Sequence, residues 1–165
     1  MNCEIVKLDL YSGDGASVYT IYIEDEGITF FDKFVSENIG NFKNEVLDIN
    51  NRLLSIGKIG AREQFFKLKE GVPGDGVCAL FDTPNSNIRL YCIRYGSDLV
   101  IVGGGGPKSK SIRSLQQDDK LTSENYLLRA ISKEITQKMI DKELKFTTDY
   151  FDFEGDTNLD INHYE

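Results

Sequence analysis

The spacing of apolar residues changes from a helical to a strand period after residue 57, and this change restricts the fold more than any other feature. Before it, apolar side chains recur at three- and four-residue steps, as in an amphipathic helix, at Phe42, Val46, Ile49, Leu53 and Ile56. After it, short β-type runs occupy residues 77–81, 88–94 and 99–102, separated by turn-forming Gly, Asn, Asp and Pro. The pattern predicts an α+β fold in which an antiparallel β-meander follows a helix.

The residues before this helix predict a β-hairpin and a second, shorter helix. Residues 3–10 and 18–24 are apolar and β-branched, with turn residues 12–15 between them, which indicates two antiparallel strands. Three phenylalanines starting at Phe30 form one face of a helix that ends near Gly40. Asn41 is suited to cap the next helix. Two helices so close in sequence predict an αα-hairpin.

The C-terminal part of the chain predicts a long helix and an acidic tail. The glycine run 103–106 is expected to form a flexible hinge at the sheet edge, followed by a basic loop. Helical spacing of apolar residues predicts a helix from Ser123 to Leu144. Residues past Lys145 include acids and aromatics but no Lys or Arg. We expect one domain at 1–145 and an acidic tail at 146–165.

The predicted middle strand, residues 88–94, has two different faces. By alternation, Ile88, Leu90 and Cys92 point to one side and suit packing against the helices. Arg89, Tyr91 and Ile93 point to the other side. The strand therefore places a cation and a phenol on the same face of the sheet.

Charge is unevenly distributed along the chain. The formal net charge is −8, from 19 basic and 27 acidic residues. Residues 58–113 nevertheless carry 9 basic and 5 acidic side chains, a net charge of +4, whereas the segments on either side are each at −6. Any site for a polyanion is expected in this middle segment. An ordinary fluctuation of surface charge would give the same excess.

Composition disfavours several classes of site and location. The single histidine, His163, lies near the chain end, and no Cys-x-x-Cys motif is present, so no metal-site spacing exists. Pro107 precedes Lys108 where a P-loop needs glycine. We therefore expect no metal and no cofactor. Apolar runs too short for a membrane span, no leader peptide and an odd count of three cysteines predict a cytoplasmic protein with reduced thiols.

Four segments between residues 28 and 113 carry a family pattern. They are QFFKLKEG at 64–71, IRLYCIRY at 88–95, LVIV at 99–102 and PKSK at 107–110. Together with the order of predicted elements, they resemble the RelE/ParE/HigB toxin superfamily, in particular its phage-derived branch. The resemblance implies a RelE-like fold with an N-terminal β-hairpin, an αα-hairpin, an antiparallel meander and, in this chain, a long C-terminal helix.

The resemblance implies a toxin-like component of a bacterial toxin–antitoxin system. The family includes ribosome-dependent mRNA endonucleases that inhibit translation, and gyrase inhibitors of the ParE type. Expected partners are an antitoxin protein and mRNA or the ribosome, with no membrane and no metal. A non-catalytic protein-binding or regulatory module on the same fold is the alternative, because this chain is acidic and residues 79–81 replace the family's acidic–arginine pair.

Candidate site residues follow from the resemblance and from the chemistry of RNA cleavage, which needs a base, an acid and cations on the phosphate. Arg89 matches the central-strand arginine and can hold a phosphate but cannot act as a base. Lys108 and Lys110 match the basic loop, and either could be a base if burial or nearby positive charge lowered its pKa. Tyr91 could donate a proton or stack on a base. The alternative is that Arg89 is a solvated strand residue and that Tyr91 packs under the long helix.

Further candidates concern RNA binding and its control. Lys67 and Lys69 match basic positions before the meander, and Arg113 extends the basic loop. The acidic tail could cover Arg89, Lys108 and Lys110 as an antitoxin would, or it could be a solvated tail.

Overall fold

An eight-stranded mixed sheet organises the part of the chain described by the computed structural model, residues 1–80, 85–108 and 115–162. The strand order is β10-β1-β2-β7-β6-β5-β4, with β3 paired to β2, and β8 and β9 form a separate ladder. The strands are β1 (Asn2–Lys7), β2 (Ser17–Ile23), β3 (Ile28–Thr29), β4 (Phe66–Lys67), β5 (Val77–Leu80), β6 (Ile88–Tyr95), β7 (Leu99–Pro107), β8 (Leu144–Phe146), β9 (Phe153–Gly155) and β10 (Asn158–Asp160). The α-helices in the described ranges are α1 (Phe30–Asn38), α2 (Lys43–Ile59) and α3 (Leu115–Ile140). The architecture is α+β.

The hairpin and the meander predicted from the sequence are confirmed. Strands β1 and β2 pair antiparallel, from Cys3 opposite Ile23 to Lys7 opposite Tyr19. Strands β5, β6 and β7 form the antiparallel meander. The parallel pairing of β2 with β7 joins these two units into one sheet.

The first face of the sheet is covered by α1 and α2 and is called the helix-pair face. Its core contains Phe31 and Phe34 of α1, Leu53 and Ile56 of α2, and the strand residues Ile88, Leu90 and Cys92. Thr29 caps α1 by accepting a hydrogen bond from the Asp32 backbone N–H. The predicted cap at Asn41 is wrong, because α2 begins after Phe42 and has no side-chain cap.

The opposite face is covered by α3 and is called the α3 face. Leu128, Ile131 and Ile135 of α3 are buried in one core with strand residues such as Ile93 and Ile101. The helix was expected from Ser123 to Leu144, but it runs from Leu115 to Ile140. It is also not C-terminal, since β8, β9 and β10 follow it.

The predicted hinge at residues 103–106 is wrong, because all four glycines lie buried within β7. Their missing side chains allow α3 and β6 to come close to this strand. A Cβ atom on Gly103 would lie 2.8 Å from a methyl group of Leu128, which is closer than carbon atoms pack. Glycine is required here by close approach and not by an unusual backbone angle.

Residues 144–162 are built into the fold. The predicted domain boundary between residues 145 and 146 falls inside β8, and β10 adds to the sheet edge by pairing with β1. The Asp152 carboxylate accepts a hydrogen bond from the Tyr19 hydroxyl at 2.7 Å and pairs with the Lys7 ammonium at 2.9 Å. Buried Lys138 of α3 donates to Asp156 at 2.6 Å. These contacts hold the tail along β1, β2 and the end of α3.

Candidate functional site

The start of β6 and the end of β7 bring two of the candidate cations together, and this strand end is called the Arg89–Lys108 corner. Arg89 stands opposite Gly106 in the strand register. One step beyond the strands, the Lys108 backbone N–H donates to the Asn87 carbonyl at 2.7 Å. Both side chains are partly buried, and the Lys108 ammonium donates to the Ser86 hydroxyl at 2.9 Å. The family-matched lysine therefore lies just past the end of β7, two residues after the glycine that stands opposite the family-matched arginine.

Lys120 of α3 adds a third cation beside this corner. A Cβ atom on Gly106 would lie 3.3 Å from Lys120 Cγ. The Lys120 ammonium contacts the carboxylates of Glu124 at 2.8 Å and Glu37 at 3.3 Å. Burial lowers the pKa of Lys120, but the hydrogen bonds and charges of these two carboxylates outweigh burial and raise the pKa above its usual value. Lys120 is therefore a permanent cation at neutral pH and not a proton acceptor.

Tyr91 lies in the core of the α3 face, which is the alternative stated for it above. Its side chain is 4% exposed and belongs to the same cluster as Leu128 and Ile131. The reason is that α3 lies directly on this face of β6, so the alternating side chains there are covered. The phenol is closed off from a ligand at the corner, which argues against its expected role as a proton donor or stacking platform.

Lys67 and Lys69, the two lysines expected to bind RNA, lie on or just after the edge strand β4, away from the Arg89–Lys108 corner. Lys67 is on β4, opposite Ala79 of β5, and Ala79 is opposite Tyr91. With strands about 4.8 Å apart and residues about 3.3 Å apart along a strand, Lys67 lies roughly 12 Å from Arg89. The Lys67 ammonium pairs with Glu70 at 3.2 Å, and Lys69 is exposed with a positive φ of 65°.

Two further candidates, Lys110 and Arg113, lie outside the described residues. The hydrogen bonds and ion pairs given above for the tail run to Lys7, Tyr19 and Lys138. The Phe153 ring of the tail does contact β6, but at Tyr95, which is at the opposite end of that strand from Arg89. The described tail contacts are thus made at a different part of the sheet from the corner that it was expected to cover.

The three cysteines are buried core residues. Cys78 stands opposite Cys92, and both are buried free thiols. Burial raises the pKa of Cys78 to about 12 and that of Cys92 well above its usual value. The described residues contain no group of three or more His, Cys, Asp or Glu side chains placed to hold a metal ion. Within the same ranges, no helix has the length and apolar character of a membrane span.

Sequence reasoning missed a second group of cations, on the exposed side of α3. Tyr126, Arg129 and Lys133 line a groove whose other wall is the loop 72–75. Their spacing of three and four residues places them on one side of the helix. That spacing was available in the sequence, but the loop opposite them is more than 50 residues away along the chain and gave no signal.

Comparisons with protein-family models, curated proteins and solved structures found no match in any of the three. The likeness to the toxin superfamily therefore rests on the residue pattern of segments 64–71, 88–95, 99–102 and 107–110.

Proposed function

We propose that this protein is a toxin-like, RNA-binding component of a bacterial toxin–antitoxin system, which inhibits translation by holding RNA phosphates at the Arg89–Lys108 corner. The observation that carries the proposal is the strand register, which sets Arg89 opposite Gly106 and Lys108 opposite Asn87, so that both cations lie at one sheet end. An arginine fork and a lysine point charge are the usual protein ligands of phosphate. Both belong to the only one of the three chain segments with a positive net charge.

Support for a RelE-like form of the α+β fold comes from the meander β5–β7 and the helix pair packed on one of its faces. Binding suits the corner better than catalysis does. Arg89 and Lys120 stay charged at neutral pH, and Tyr91 is buried. A phosphate ligand needs only such fixed cations, whereas cleavage also needs a group that takes a proton.

The proposal is tested by the salt dependence of binding to a fluorescein-labelled single-stranded RNA 12-mer, measured by anisotropy. Arg89→Ala and Lys108→Ala should each weaken binding about tenfold, since a hydrogen bond to a charged group contributes roughly 1.5–3 kcal/mol. Each should also reduce the slope of log K against log salt by about 0.7. Lys58→Ala is the matched control, because Lys58 is exposed on α2, on the other side of the sheet.

The proposal would be contradicted if Lys58→Ala and Arg89→Ala lost equal amounts of RNA affinity, or if the RNA affinity did not change with salt. Arg89→Lys separates charge from packing, because it retains the charge of a partly buried side chain. End-mapping of mRNA on purified translating ribosomes then distinguishes binding alone from endonuclease activity. Cuts that depend on Lys108 would extend the proposal to an mRNA interferase.

A second candidate function is a protein-binding regulatory module, and the net charge of −8 favours it. Such a charge repels RNA everywhere except at a local basic surface. Salt-insensitive binding to a protein partner, with no RNA binding at 50 mM salt, would select this function.

A further inference from the structure

The groove between α3 and the loop 72–75, called the α3 groove, lies apart from the Arg89–Lys108 corner. Its volume is about 740 Å³, within the range of small-molecule sites. One wall consists of Tyr126, Arg129 and Lys133, and the other of Val72 and Asp75 with the residues between them. The groove therefore combines an aromatic ring, two cations and an apolar edge.

The aromatic ring in this groove, that of Tyr126, is exposed to solvent and contacts the guanidinium group of Arg129. Tyr126 is 48% exposed, although it is a large aromatic side chain. The Arg129 guanidinium lies 5.0 Å from the centre of the Tyr126 ring, in the range of a cation–π contact. Exposed aromatic rings and arginine planes are the surfaces on which proteins stack unpaired RNA bases.

The Asp75 carboxylate in the groove is already hydrogen-bonded to backbone N–H groups of its own segment. Asp75 accepts hydrogen bonds from the backbone N–H groups of Val72 at 2.9 Å and Val77 at 3.0 Å. Its charge is thus partly satisfied within the loop, while Arg129 and Lys133 face the groove. A second groove of about 610 Å³ on the other side of the loop adds Lys69 and Arg94. The loop is flanked by four cations.

Buried polar side chains of α3 hold the loop in place. The Ser132 hydroxyl donates to the Asp75 carbonyl at 2.6 Å, and the Asn125 amide donates to the Glu70 carbonyl at 2.8 Å. Both side chains are buried. Because these bonds exist before any ligand arrives, binding in the groove costs little ordering of the wall.

We propose that the α3 groove is a subsite for one nucleotide of single-stranded RNA, with the base on Tyr126 and the phosphate on Arg129 and Lys133. The choice of RNA over an acidic peptide follows from the exposed ring, since cations alone suffice for an acidic peptide. The inference rests on the proposed function for its substrate class. Tyr126 lies about 9 Å along the helix axis from Lys120, so one strand can reach both places.

The test uses the full chain and a single-stranded RNA 12-mer that carries 2-aminopurine, whose fluorescence is quenched by stacking. Tyr126→Leu should weaken binding about tenfold and abolish the quenching, because base–aromatic stacking is lost. Tyr126→Phe should bind within about twofold of the parent, since the ring is kept. Tyr150→Leu is the matched control, because Tyr150 is 62% exposed but lies between β8 and β9.

The cations are tested by Arg129→Gln and Lys133→Gln, each of which should lower the salt slope by about 0.7. The control is Lys142→Gln, at an exposed lysine just beyond the end of α3. Unchanged RNA affinity in Tyr126→Leu, while Arg89→Ala still weakens binding, would overturn the subsite and leave the proposed function standing. If neither Tyr126→Leu nor Arg89→Ala weakened RNA binding, both the subsite and the proposed function would be overturned. An oligoglutamate peptide is the competing ligand. If it competes with the RNA and its affinity is unchanged in Tyr126→Leu, the groove is assigned to an acidic peptide instead.

Discussion

The two faces of the sheet use buried polar groups in different ways. On the helix-pair face, the buried Thr20 hydroxyl donates to the Val102 carbonyl of the neighbouring strand, and the amide of buried Asn38 donates to the Phe34 carbonyl of its own helix. On the α3 face, Asn125 and Ser132 donate to the carbonyls of Glu70 and Asp75, in the segment that forms the loop 72–75 and its approach. The first set of bonds connects strands and helices of the core, whereas the second fixes a surface loop. The α3 face is therefore the one that shapes a binding surface.

The largest expected effect compares one leucine from each face. Leu53→Ala and Leu128→Ala should each lower the free energy of unfolding by about 3 kcal/mol, because both side chains are fully buried and leave a cavity. Urea unfolding followed by circular dichroism measures this. RNA affinity of the folded protein should fall only in Leu128→Ala, since Leu128 positions α3 against Gly103. An equal fall in Leu53→Ala would contradict the division of roles.

A smaller effect is expected when one of the long-range hydrogen bonds is removed. Ser132→Ala should lower the free energy of unfolding by about 1 kcal/mol, since the Asp75 carbonyl loses its buried donor. The same variant should weaken RNA binding, because the loop wall is no longer held. Ser55→Ala is the control, since the Ser55 hydroxyl donates to the Asn51 carbonyl of its own helix. RNA affinity unchanged in both variants would show that the loop is positioned by other contacts.

The attachment of the tail to β2 should depend on pH. Burial raises the pKa of Asp152, but hydrogen bonds from Lys7 and Tyr19 outweigh it and lower the pKa. A lowered folded pKa means that the ionised carboxylate stabilises the fold above the unfolded pKa of about 4, and that this stabilisation is lost as pH falls through the folded value. The difference in unfolding free energy between the parent and Asp152→Asn should therefore be larger at pH 7 than at pH 3. Asp25→Asn, at an exposed turn position, should show no such change.

The smallest expected effect is on chemical reactivity and needs no substitution. Burial raises the pKa of Cys3 on the α3 face to about 11 and that of Cys78 on the helix-pair face to about 12. Native protein at pH 8 should react with a thiol reagent over hours, whereas protein in guanidinium should react within minutes. Cys3 should react first, since β1 loses cover whenever the three-residue strand β10 frays. Faster reaction of Cys78 or Cys92 than of Cys3 would contradict this order.

Much of the helix-pair face could be predicted, because its rules are local. The three- and four-residue steps from Phe42 to Ile56 gave α2, and alternation in β6 gave the side that packs against the helices. The four glycines of β7 were misjudged, because glycine also marks turns and only knowledge of α3 above the strand distinguishes the two. The pairing of β10 with β1 joins residues more than 150 positions apart and left no local pattern.

The site was partly predictable, because one part of it follows from the order of strands along the chain and the rest depends on where α3 lies. The neighbourhood of Arg89 and Lys108 follows from the order of the meander strands, which the sequence indicated. Burial of Tyr91 depends on where α3 lies, so alternation alone could not decide between a site and the core. The α3 groove depends on contacts between α3 and the loop 72–75, which no spacing within either segment encodes.

The glycine stretch of β7 has a consequence for the length of RNA that the protein would prefer. Gly103 and Gly106 leave room for the side chains of Leu128 and Lys120, so α3 packs on the strand at two places along its axis. Tyr126 lies between these two residues in the helix, so the packing of α3 on β7 sets the distance from the Tyr126 backbone to that of Arg89. Oligonucleotides too short to span that distance should bind weakly, and affinity should rise in one step at the length that first reaches both places, rather than gradually with each added nucleotide.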